Sequence, residues 1–184
     1  FSTHPNIYWD KVNIIIILRK FILMILQYFK KKENEYKIKS DKIYLNILNK
    51  SKSLLNKNFF NEIDFSTSFE LISILLIYYL KFFKNKDMAS NKRVKEELMK
   101  NLVNDLDKSL RDVGISDMSI GKYVKKYVKK FYYRLKILDP IFENYNNQEL
   151  LNYLNSLEFI NKNNSNELFN LLSKFFMEIK NNNE

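Results

Sequence analysis

The sequence predicts an all-α fold, a single compact domain of about six helices. Three observations carry that expectation. The 184 residues hold two glycines and two prolines, which leaves few places for the tight reversals that many short strands require. From Ser40 onward, apolar residues recur at three- and four-residue spacing, the period of a helix with one buried face. A chain of this length also buries roughly 70% of its unfolded surface, enough for one real core. No repeat of roughly 20–50 residues is visible, which removes the solenoid architectures.

Residues 1–39 read as an N-terminal extension of a helical domain spanning 40–184. Val12 to Phe29 is strongly apolar but carries Arg19 and Lys20 at its centre. Each of those charges would cost about 2.5–3.5 kcal/mol in a bilayer core, so a spanning helix is disfavoured. The charge placement and small-residue cleavage site of a signal peptide are both missing. Two readings stay open: a peripheral amphipathic anchor, or upstream residues 1–23 that are not native, with Met24 as the start.

In the domain, Ser40 can cap a first helix bearing Ile43, Tyr44, Ile47, Leu48, Leu54 and Leu55. Asn56 to Phe65 is a loop. Thr67 and Glu70 form a capping-box pattern that opens the most apolar helix, Phe69 to Phe83, expected to be central and buried. Lys84 to Lys92 is a polar connection. The next helix carries Val94, Leu98, Leu102, Leu106, Leu110 and Val113, spaced by four and finally three, and Gly114 fits the left-handed position that ends a helix. A helix from about Ser119 or Ile120 to Leu138 should stop before Asp139 and Pro140, since proline removes a helical N–H. Glu149 to Ile160 and Leu168 to Ile179 complete the set, with Ser165 as a candidate cap for the last.

Composition excludes much chemistry. Without cysteine there is no disulfide, thiolate zinc site, cysteine nucleophile or iron–sulfur cluster. One imidazole, His4, cannot build a multi-histidine metal site and reads as incidental. Two glycines cannot spell a dinucleotide fingerprint or a P-loop. No catalytic residue, metal site or cofactor is expected. The formal net charge of +10 is discounted, because 27 of 31 basic residues are lysine and 25 asparagines accompany them, a pattern that AT-rich codons produce.

One local feature survives that discount. Between Gly121 and Leu138 the residues Val124, Tyr127, Val128, Phe131, Leu135 and Leu138 share one helical face. Lys122, Lys125, Lys126, Lys129, Lys130 and Lys136 occupy the other. Such a ridge draws an anionic surface, whether RNA, an acidic protein or lipid headgroups, or is merely a solvated face. Tyr127, Tyr132 and Tyr133 lie beside it, but no nucleic-acid recognition module is spelled out. Asp105 and Asp112 lie seven apart on one face and read as structural partners for nearby lysine or arginine.

The run Asn104-Asp-Leu-Asp-Lys-Ser-Leu-Arg-Asp-Val-Gly-Ile-Ser-Asp-Met-Ser-Ile-Gly-Lys-Tyr-Val-Lys-Lys126, followed by Phe131-Tyr-Tyr-Arg134, resembles the signature of the ubiquinol–cytochrome c chaperone family. Residues 24–160 follow the family pattern. Asp112 replaces a usual glutamate, and Ser116, Ser119 and Tyr133 stand where glycine is frequent. The resemblance implies a non-enzymatic assembly chaperone for cytochrome b and the bc1 complex. It implies as partners newly made cytochrome b, a small partner protein and the ribosome, with peripheral contact at the inner membrane on its cytoplasmic or matrix side. DNA is not an expected partner. Asp105, Asp107, Arg111, Asp117, Lys125, Lys126, Tyr132 and Arg134 match the motif, and with Lys122 and Lys129 they form the candidate partner-binding set. The corner around them is expected to be held by Asp–Arg or Asp–Lys pairs. The alternative from a different class is an RNA- or ribosome-binding helical module.

Overall fold

A computed structural model of the chain describes residues 34–83 and 88–181, so Val12–Phe29, His4 and Met24 lie outside the described residues. The chain divides into two compact units, residues 1–38 and 39–184. Residues 34–38 of the first are helical. The second is an all-α domain, and everything below concerns it.

Helix α1, residues 39–54 within this unit, buries Tyr44, Ile47 and Leu54. Ser40 is not its cap but lies inside it, fully buried. Asn101 of the third helix reaches α1 through Asp41 at 2.9 Å. Helix α2 spans Phe65–Phe82 and starts earlier than its apolar run suggests. Its cap is Asp64, whose Oδ1 accepts the Thr67 N–H at 2.7 Å. That bond holds the Asp64 carboxyl below its ordinary value. Glu70, the other half of the expected capping box, turns inward instead. α2 is long and apolar enough to cross a membrane by length and composition, yet more than half of it is buried against its neighbours, as befits a core helix.

Helix α3 runs Met88–Asp112, so the second half of the expected polar connection is helical. Val94, Leu98, Leu102, Leu106 and Leu110 form its buried stripe, each leucine worth about 2 kcal/mol of burial, whereas Val113 falls past the helix end and is exposed. Gly114 ends the turn with φ +90°, and the Ile115 N–H reaches the Leu110 carbonyl at 3.0 Å. That wrap needs a left-handed residue, which glycine supplies without strain. The chain then enters helix α4, Asp117–Glu143, roughly 40 Å long.

α4 passes through Pro140 instead of stopping before it. Proline forfeits one hydrogen bond, but the last turn buries Ile141 and Phe142, and the Phe142 ring lies 5.1 Å from Tyr78 and 5.5 Å from Phe176. Packing therefore outweighs the break. α4 ends in a second reversal at Tyr145, here a tyrosine at φ +51°. Helix α5 covers Asn147–Ser156 and ends four residues before Ile160. The released strand-like segment pairs antiparallel with the loop after α1, Phe60 opposite Ile160. A single 3-10 turn, Lys162–Asn164, leads into α6, Ser165–Asn181. Ser165 does not cap α6 by accepting an N–H; its hydroxyl donates to the Lys162 carbonyl. Leu168, Leu172, Phe175, Phe176 and Ile179 close the core, with Phe176 stacked on Tyr78 at 3.8 Å.

Candidate functional site

α4 organises the site because it packs on both α2 and α3 while leaving one face open. Its inward face follows the expected arc: Phe131 and Leu138 are fully buried, and Tyr127 packs edge-on against Phe65 and Phe69 at 5.0 and 4.9 Å. The ten candidate residues do not act as one surface. They separate into a buried pair, two braces and an exposed face.

Arg134 belongs to the core. Its guanidinium donates two bonds to the buried carboxylate of Glu70, Nε at 2.7 Å and Nη2 at 2.9 Å. These bonds raise the guanidinium pKa, against the opposing cost of burial. Lys130 stands 3.8 Å from the same carboxylate. A carboxylate inside an apolar helix is expensive unless its oxygens are bonded, and a planar two-pronged donor satisfies both at once. The Tyr153 hydroxyl is buried nearby without a hydrogen-bond partner among the described residues, and burial pushes it well above the ordinary tyrosine value. Sequence reasoning assigned Glu70 to a cap and missed this pair. The available signal was a lone charge between Phe69 and Leu71 on the most apolar helix.

The two braces sit around the α3–α4 corner. Asp105 accepts a bond from the Tyr44 hydroxyl at 3.0 Å, tying α1 to α3, so its partner is a tyrosine and not the expected lysine or arginine. Burial, then the Asp105 charge, raise the Tyr44 pKa. Arg111 bonds Asp107 at 2.8 Å one turn back and Asp117 across the turn. This is an Asp–Arg clamp over Gly114, in solvent; the Asp107 bonds raise the Arg111 pKa.

Lys122, Lys125, Lys126 and Lys129 are exposed and make no ion pair with a described residue. Tyr132 is 55% exposed and Tyr133 60%. Tyr132 stands at the edge of a cleft of about 900 Å³ between the end of α2, the first half of α3 and the middle of α4. Leu80, Phe83, Met88, Met99, Phe131 and Leu135 supply its apolar walls. Its lining carries five charged residues: Lys81 bonds Asp139 at 2.9 Å, Lys92 faces Glu96 at 4.0 Å, and Lys95 is the fifth. A cleft with apolar walls accepts uncharged hydrophobic side chains, and unbranched methionines adapt to more than one shape. α4 thus carries a cleft with apolar walls on one flank and a lysine face on another.

The family model described as Ubiquinol-cytochrome C chaperone matches residues 58–162, which contain every cleft-lining residue and the whole of α4. The fold is similar to the crystal structure of the Cbp3 homolog from Brucella abortus, with a TM-score of 0.65 and 22% identity over 86% of this chain and 88% of that one. No curated protein matches the chain.

Proposed function

This chain belongs to the ubiquinol-cytochrome C chaperone family, and from that premise we propose that it is a non-enzymatic assembly chaperone for the bc1 complex whose client is newly made cytochrome b. The family match over 58–162 is the observation that carries this reading. Physical chemistry supplies the rest. A membrane subunit waiting for its partners exposes apolar helices to water, so its chaperone must offer an apolar surface that releases again. The α2–α3–α4 cleft is such a surface: its walls are hydrophobic, it is open, and Lys81 and Lys92 on its rim face Asp139 and Glu96. Tyr132 at its edge and the exposed Met88 at the start of α3 are the residues assigned to client contact.

Within this reading Asp105, Asp107, Arg111, Asp117 and Arg134 brace the fold, and Lys122, Lys125, Lys126, Lys129 and Tyr132 meet partners. The same proposal includes a small partner protein and the ribosome as encounters at the place of synthesis, with the chain held peripherally at the membrane. The exposed lysines also support an RNA- or ribosome-binding module. A strain lacking this chain separates the two. The assembly reading predicts loss of assembled bc1 complex with other respiratory complexes intact. Normal bc1 levels, together with steeply salt-dependent RNA binding by the purified chain, would overturn it in favour of the module.

A further inference from the structure

The open face of α4 is more specific than a count of lysines. At 100° per residue, Met118, Lys122, Lys125, Lys126, Lys129, Tyr132, Tyr133 and Lys136 fall within an arc of about 120°, running roughly 27 Å along the helix. No carboxylate interrupts the sequence from Met118 to Lys136. Met118 is 100% exposed at one end of the row, and the two exposed tyrosines flank its other half. The arginines of this region are committed elsewhere, Arg134 to buried Glu70 and Arg111 to the corner carboxylates.

We propose that this face docks on the anionic headgroups of a lipid bilayer, with Met118, Tyr132 and Tyr133 entering the headgroup boundary between the lysines. Three features favour lipid over RNA. Lysines alone are point charges suited to a fluid array of headgroups, whereas phosphate recognition with geometry draws on free arginine forks. A fully exposed methionine in the row is favourable at a bilayer boundary and gives a polynucleotide nothing to bond. Exposed tyrosines, each an apolar ring with a polar tip, are the aromatic residues of membrane interfaces. Tyr132 stands on both this face and the cleft, so the cleft would open beside the bilayer surface. The inference deepens the assembly reading and rests on it for its biological place, but its test needs no client.

The experiment is partition of the full chain onto vesicles of phosphatidylcholine, with and without a minority of phosphatidylglycerol. The wild type should bind the anionic vesicles more tightly, and added salt should erase that increment. Replacing Lys122, Lys125, Lys129 and Lys136 by glutamine should weaken anionic binding by roughly six hundredfold, each lysine being worth roughly fivefold near such a surface. Binding to neutral vesicles should not change, which separates this face from any contribution of the apolar N-terminal residues. Equal binding to both vesicle types, an anionic preference retained by the variant, or tighter salt-dependent binding to RNA through the same four lysines would overturn the proposal. If the variant fails to fold, replacing Lys125 and Lys129 alone by glutamine should still weaken anionic binding by roughly twenty-five-fold, and an unchanged affinity would overturn the proposal. Failure here with normal bc1 assembly sinks the surface and spares the proposed function.

Discussion

Arg134 and Arg111 are the same side chain put to opposite uses. Arg134 points into the seam between α2 and α4 and grips a carboxylate that is 1% exposed. Arg111 lies in water at the α3–α4 corner and touches two exposed carboxylates. Both are ion pairs in a list of contacts, but solvent makes them physically unlike. In the seam the Glu70 carboxylate cannot return to water without opening the core, so the pair fixes how α4 lies on α2 although its net contribution is small. At the corner, water and salt compete for every bond, and the turn is held chiefly by Gly114 and the wrapped backbone. The difference between these regions yields a ranked set of expectations.

The largest effect should come from Glu70→Ala. It leaves Arg134, whose side chain is only partly exposed, charged and without its acceptor, a loss of about 1–3 kcal/mol by denaturant unfolding. The double change Glu70→Leu with Arg134→Met should recover most of that stability. If Glu70→Ala alone is mild, the seam pair is not the anchor described here. Gly114→Ala comes next, at about 1–2 kcal/mol, because a Cβ is forced to a positive φ. No atom lies within 4 Å of that Cβ, so the cost is backbone strain alone, and chemical denaturation of the variant measures it.

Asp64→Ala should cost about 1 kcal/mol as the loss of a helix cap. Its pH dependence gives a sharper check. The Asp64 pKa is lowered in the folded state, principally by the Thr67 N–H, so its stabilisation is present above the ordinary carboxylate pKa and fades as pH falls through the lowered folded value. The gap between wild type and Asp64→Ala in thermal melts should therefore be full at neutral pH and close in acid. Arg111→Ala should be the smallest effect, visible at low ionic strength and erased by added salt.

What the sequence made legible follows the range of the forces involved. The stripe Val94 to Leu110, the two-faced α4 and the turn at Gly114 are local patterns, and each appears in the structure where periodicity or backbone chemistry placed it. The all-α domain of six helices follows from them. Glu70 and Arg134 lie 64 positions apart, and no local rule joins them, so one was taken for a cap and the other for a surface residue. Pro140 misled for a related reason: its local penalty is real, but the rings of Tyr78 and Phe176, distant in sequence, hold the last turn of α4 together. Of the candidate site, the lysine face was readable from spacing alone. The cleft was not, since three separate helices build it.

The cleft is also where the functional account is most exposed to contradiction. The decisive measurement is co-purification of cytochrome b, with the level of assembled bc1 complex, in cells carrying either the wild-type chain or Met88→Glu with Tyr132→Ala. Both residues are exposed, so the double variant should melt like the wild type. The account predicts that the wild type retains cytochrome b and supports assembly, while the variant loses both. Undiminished recovery of cytochrome b by the variant would contradict it.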